Sequence, residues 1–164
     1  MRSNRWLIAG GILSAIAGLV HVGVILGGPS WYRFFGAGEE MAQAAERGSL
    51  MPAAITLAIA AVLLVWSLYA FSAAGLVRRL PLIRTALVLI SAIYLFRGMA
   101  PWPAMFFIPQ MATPFTVWST LVVLVYGLTY AVGTWLAWPH LRIAGSAATR
   151  RRDGGDGSSR AFKA

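Results

Sequence analysis

The chain contains no cysteine, which excludes disulfides, thiol redox chemistry, cysteine-held metals and a cysteine nucleophile. Acidic residues are nearly as scarce: Glu39, Glu40, Glu46, Asp153 and Asp156 are the only five. Adjacent Glu39 and Glu40 point about 100° apart on a helix and cannot act directly as a carboxylate dyad. Lysine occurs once, at Lys163, and every other basic side chain is arginine. The chain has no Gly-x-Gly-x-x-Gly or P-loop pattern and no Ser-His-Asp order for nucleophilic catalysis. Charged residues make up 12% of the chain, against about 25% in a soluble domain.

What the chain has instead is apolar length. Hydrophobic residues account for 59% of it and mean hydropathy is +0.70. Four runs are long enough to cross a bilayer, at about residues 6–28, 50–77, 82–100 and 113–138. The fold class expected is all-α: a four-transmembrane-helix bundle over residues 1–144, followed by a disordered basic cytoplasmic tail at 145–164. The first run follows a charged start, MRSNR, but it is too long for a signal peptide and reads as a retained helix.

A net charge of +9 does not indicate nucleic acid. The arginines sit in short segments between apolar runs and in the tail, not on a folded basic face. Arg2 and Arg5 precede span one, Arg78, Arg79 and Arg84 separate spans two and three, and Arg142, Arg150, Arg151, Arg152 and Arg160 follow span four. By the positive-inside rule both termini lie in the cytoplasm, and loops one and three lie outside. Arginine- and alanine-rich usage hints at a bacterial source, so the expected location is the cytoplasmic (inner) membrane. Trp6, Trp135 and Trp138 inside, with Trp31 and Trp102 outside, fit aromatic belts.

Span one places Gly10, Ser14 and Gly18 on one face, with Gly23 and Gly27 repeating the spacing; such faces let helix backbones approach closely in lipid, in a bundle or a homodimer. Loop one reads as interfacial aromatics (Trp31, Tyr32, Phe34, Phe35) followed by a short amphipathic helix over Gly38–Arg47, with Glu39, Gln43 and Glu46 on its polar face. Loop three carries Pro101, Pro103, Pro109 and Pro114 among Trp102, Met105, Phe106, Phe107 and Ile108. It is expected to be irregular and to plug the outer end of the bundle. A Phe-Phe pair follows both Pro29 and Pro101 at the same spacing, an echo short enough to be chance.

Between Arg84 and Arg97 lie only twelve uncharged residues, where a spanning helix needs about 20. Arg84 has Arg78 and Arg79 behind it and stays wet; Arg97 is followed by a long uncharged stretch. Counting from the inner ends of spans one and three puts Arg97 level with His21, in the outer third of the slab. Tyr94 lies one turn below Arg97, and Thr56, Trp118, Ser119 and Thr120 come to a similar depth. The candidate polar cluster is therefore His21, Glu39, Glu40, Tyr94 and Arg97. With the aspartates in the tail, the acids open to Arg97 are Glu39, Glu40 and Glu46. Otherwise it snorkels outward or meets lipid phosphate, water or an anionic ligand. His21 suits proton relay or pH sensing, or simply a bond to a neighbouring helix.

No metal site or cofactor is expected, since His21 and His140 lie on opposite sides. The leading reading is a non-enzymatic integral membrane protein binding a small or lipid-like ligand near its outer face. A small transporter or proton-coupled carrier, alone or as a homodimer, is the alternative, and a lipid-modifying enzyme the third.

Overall fold

The structure, a computed structural model, describes residues 4–156, without the side chains of residues 111, 140 and 142–156. The described residues form helices and no strand. Four helices are long and apolar enough to cross a membrane. The first, α1 (Arg5–Gly27), starts because Asn4 accepts hydrogen bonds from the Trp6 and Leu7 amides, filling two of the orphan donors of the first turn. It stops at Gly28, whose φ of +67° suits glycine far better than other residues. Short helices α2 (Pro29–Phe34) and α3 (Glu39–Glu46) follow, and then the long α4 (Met51–Ala73). Span two ends earlier than the apolar run to Val77 implies. Gly75 turns the chain at φ +81°, and the Ser72 hydroxyl ties the turn by donating to the Arg78 carbonyl and accepting from the Leu80 amide.

Helix α5 (Ile83–Met99) is followed after one residue by α6 (Pro101–Phe107), a single 3-10 turn (Pro109–Met111) and α7 (Pro114–Asp156). Loop three is thus largely helical, not irregular, because Pro101 and Pro103 fall in a first turn whose amides lack intrahelical partners anyway. Nor is it a plug: α6 buries no residue, and Phe106 and Phe107 project outward at 81% and 79% exposure. α5 and α6 together form one apolar stretch, Ile83–Phe107. At the other end of the chain α7 continues as helix through residues 145–156, which composition reads as disordered; Ala147, Ala148 and Arg150 to Arg152 are good helix formers. The rest of that tail, 157–164, lies outside the described residues.

Packing is organised by close approach. α1 lies along α4, α5 lies along α7, and α1 joins the pairs by packing on α7; α4 and α5 meet much less extensively. A Cβ added at Gly98 would stand 2.9 Å from the Leu124 Cα, one at Gly127 2.9 Å from the Leu95 nitrogen, and one at Gly133 3.1 Å from the Leu7 nitrogen. Polar side chains lie inside, among them Ser14, Ser67, Ser91, Thr120 and Thr129, while Leu19, Leu26, Phe96 and Trp135 face out. An exterior this apolar fits lipid rather than water. The four long helices and this inside-out pattern fit a multi-pass membrane protein.

Candidate functional site

The glycine contacts set the depth of each side chain. Gly98 against Leu124 and Gly127 against Leu95 place Arg97 opposite Val125. Gly133 against Leu7, with the Asn4 amide donating to the Gly133 carbonyl at 2.6 Å, places Val125 in turn level with Ala15. Ala15 is near the middle of α1, and Val125 near the middle of the apolar part of α7. Arg97 therefore sits about halfway along the bundle, not level with His21, which lies roughly 9 Å nearer the α2–α3 end. Two things displace the estimate from sequence. α5 starts about a turn outside the level at which α1 begins, with Arg84 opposite Trp138 (5.1 Å to the ring centroid), and the stretch runs on past Ala100 to Phe107.

Arg97 is exposed, and among the described residues it forms no ion pair or hydrogen bond. Helical phase explains the exposure. Tyr94 and Gly98 point inward, Leu95 packs on Gly127 of α7, and Arg97 falls on the opposite flank, the one toward α4. Glu39 and Glu46 are taken by Arg33: its Nε and Nη2 donate to Glu39 at 2.8 and 2.7 Å, and its Nη1 donates to Glu46 at 2.7 Å. This clasp holds α3 on α2. Arg33 keeps the Glu39 carboxyl below the usual range, and the two carboxylates push the Arg33 guanidinium up. Glu40 is exposed on α3. Half-buried His21 has Nδ1 2.8 Å from the Ala17 carbonyl. A carbonyl only accepts, so Nδ1 carries the proton in this bond. The expected cluster of His21, Glu39, Glu40, Tyr94 and Arg97 is thus not assembled at one place: the glutamates stay with loop one, and Tyr94 belongs to the interior.

The interior holds a polar network that sequence reasoning missed. Tyr130 donates from its hydroxyl to the Trp66 carbonyl at 3.2 Å. Ser14 Oγ lies 2.9 Å from the Tyr130 hydroxyl and 3.0 Å from the Tyr94 hydroxyl. Since the Tyr130 proton is spent on Trp66, Ser14 donates to Tyr130 and Tyr94 donates to Ser14. The protons run one way: Tyr94 to Ser14 to Tyr130 to the Trp66 carbonyl. The rings pack as tightly, Tyr94 meeting Trp66 edge-on at 4.9 Å and Tyr126 at 5.6 Å. Ser67 adds a bond to the Gly11 carbonyl at 2.7 Å. One residue each from α1, α4, α5 and α7 is tied together, a satisfied network that rigidifies the core. The signal available was Tyr126 and Tyr130 one turn apart in an apolar run, opposite a small-residue face that contains Ser14.

No group of three or more His, Asp or Glu side chains among the described residues could hold a metal ion. Comparison with protein-family models, with curated proteins and with solved structures finds no match.

Proposed function

We propose that this is a non-enzymatic protein of the bacterial cytoplasmic membrane, with both termini on the cytoplasmic side, that engages an anionic group inside the bilayer through Arg97. The observation carrying this reading is the position of Arg97: halfway along four apolar helices, exposed, with no acid beside it among the described residues. Insertion scales charge about 2.5–3.5 kcal/mol for an arginine at a helix centre. Half the hydrocarbon thickness, roughly 15 Å, is farther than the side chain reaches, so snorkelling alone does not relieve it. A lipid-facing cation at that depth is stabilised by a group that neutralises it.

The reading moves the ligand-binding role from an outer layer of His21, Glu39 and Glu40 to the mid-depth flank of α5. The arginine-rich segments at both ends and between α4 and α5 support the orientation. The test uses a brominated fatty acid titrated into proteoliposomes. Quenching of Trp66, which packs on Tyr94 beside this flank and is kept as the one tryptophan by replacing the other six with phenylalanine, is expected to saturate with Arg97 in place and in Arg97→Lys, and to fall to the nonspecific slope in Arg97→Leu. Equal quenching in all three proteins would overturn a role for Arg97 with free amphiphiles, leaving only an anion fixed on another protein.

A further inference from the structure

We infer, resting on the reading of Arg97 above, that its anionic partner is a carboxylate carried on a transmembrane helix of a different protein, and that the α4-side flank of α5 is the docking surface for that helix. The first argument is supply. Glu39, Glu40 and Glu46 sit at or beyond the α2–α3 end, Asp153 and Asp156 follow the opposite end, and no span contains an acid. A second copy of the chain therefore cannot neutralise Arg97. Because the residue is halfway along the bundle, a copy in either orientation brings another arginine to the same depth, and like charges repel. Self-association through this flank is excluded by charge, although the small-residue face of α1 suits close packing.

The second argument is depth. A lipid headgroup would have to leave the interface and descend roughly 15 Å to meet the guanidinium. A carboxylate on a spanning helix is already held at that depth by the apolar residues on either side of it, so pairing adds no such displacement. Intramembrane acids of this kind pair with intramembrane bases. The third argument is the surface itself. Ile93 is exposed one turn below Arg97 on the same flank, and Phe96 and, two turns below Arg97, Leu89 are exposed on the adjoining outward face of α5. α4 and α5 pack far less extensively than α1 does with α4 or α5 with α7, and Trp66 of α4 lies on Tyr94 of α5. The result is an apolar outward face on α5 with a single cation at its α4-side edge.

The experiment reconstitutes the full chain in vesicles at neutral pH with labelled leucine-alanine transmembrane peptides and reads association by energy transfer. One peptide carries Asp at its centre, one carries Leu there, and one carries Asp two turns from the centre. The central-Asp peptide is expected to bind about tenfold more tightly than the Leu peptide, the size of one interhelical polar pair in lipid. Arg97→Leu should erase that preference, Arg97→Lys should retain most of it, and the displaced Asp should gain little. Equal binding of the three peptides overturns the docking proposal. If fatty-acid quenching still depends on Arg97 in that case, the anion-binding reading stands and the partner is an amphiphile; if it does not, both fall. Self-association lost in Arg97→Leu would also overturn the proposal.

Discussion

Replacing Ser14 with alanine removes the middle of a one-way chain of hydroxyls, and the direction of that chain sets the outcome. Tyr94 loses its acceptor and is left as a buried donor; Tyr130 loses the donor to its oxygen but keeps its own bond to the Trp66 carbonyl. An orphaned buried donor costs about 1–3 kcal/mol in soluble proteins, whereas interhelical bonds measured in lipid average about 0.6 with a ceiling near 1.7. Two bonds are lost at Ser14, so Ser14→Ala is expected to cost about 1.5–2 kcal/mol. Tyr94→Phe removes only the head of the chain, leaves Ser14 bonded to Tyr130, and should cost about 0.5–1 kcal/mol. Tyr130→Phe strands the Ser14 proton and should match Ser14→Ala. Combining Ser14→Ala with Tyr94→Phe removes the stranded donor, so the double variant should be barely less stable than Ser14→Ala alone. Reversible unfolding in mixed micelles by titration with sodium dodecyl sulfate measures all four. A Tyr94→Phe loss equal to that of Ser14→Ala, or simple additivity in the double variant, would refute the assigned direction.

Other consequences follow from the same structure. Arg97→Leu, in the absence of a partner, should raise stability by about 3 kcal/mol in the same titration, because leucine is favoured and arginine disfavoured at mid-span. Gly98→Ala forces a methyl to 2.9 Å from the Leu124 backbone and should cost about 1–3 kcal/mol by separating α5 from α7; Gly38→Ala, with open space around it, tests backbone strain alone. Glu39 is held below its ordinary range of about 4.3 by Arg33. Its contribution to the clasp is thus complete above that value and is lost as pH falls through the lower folded value. The protection factor of the α3 amides, the exchange rate referred to the intrinsic rate at each pH, should be constant between about pH 6 and 8 and should fall only on strong acidification. Arg33→Ala should show the lowered protection at every pH.

The four apolar runs were legible because a bilayer demands about 20 residues of apolar helix and the chain supplies them. The small-residue face of α1 was legible as well: Gly10, Ser14 and Gly18 are all buried. Depth was not. It depends on how far each helix slides along its neighbour, and that is set by pairs such as Gly98 with Leu124 and Gly133 with Leu7, which no single helix reveals. Prolines misled for a local reason. Pro101 and Pro103 read as breakers, but in a first turn they start a helix, and so the α5–α6 stretch runs on and Arg97 sinks to its middle. The partner of Glu39 and Glu46 was also within reach, since Arg33 lies in the same loop, but the search for acids was framed around Arg97.

The hydroxyl chain of the core has a consequence for traffic across the membrane. A proton wire needs a mobile proton at each link and an exit that passes it on. Here the hydroxyls of Tyr94, Ser14 and Tyr130 form a one-way chain whose last acceptor is the Trp66 peptide carbonyl, which has no proton of its own to hand forward. At the other end the Tyr94 ring is hemmed in by Trp66, Tyr126 and Tyr130. The arrangement is a latch across four helices, and a proton relay through the centre of this bundle would need an acceptor beyond that carbonyl.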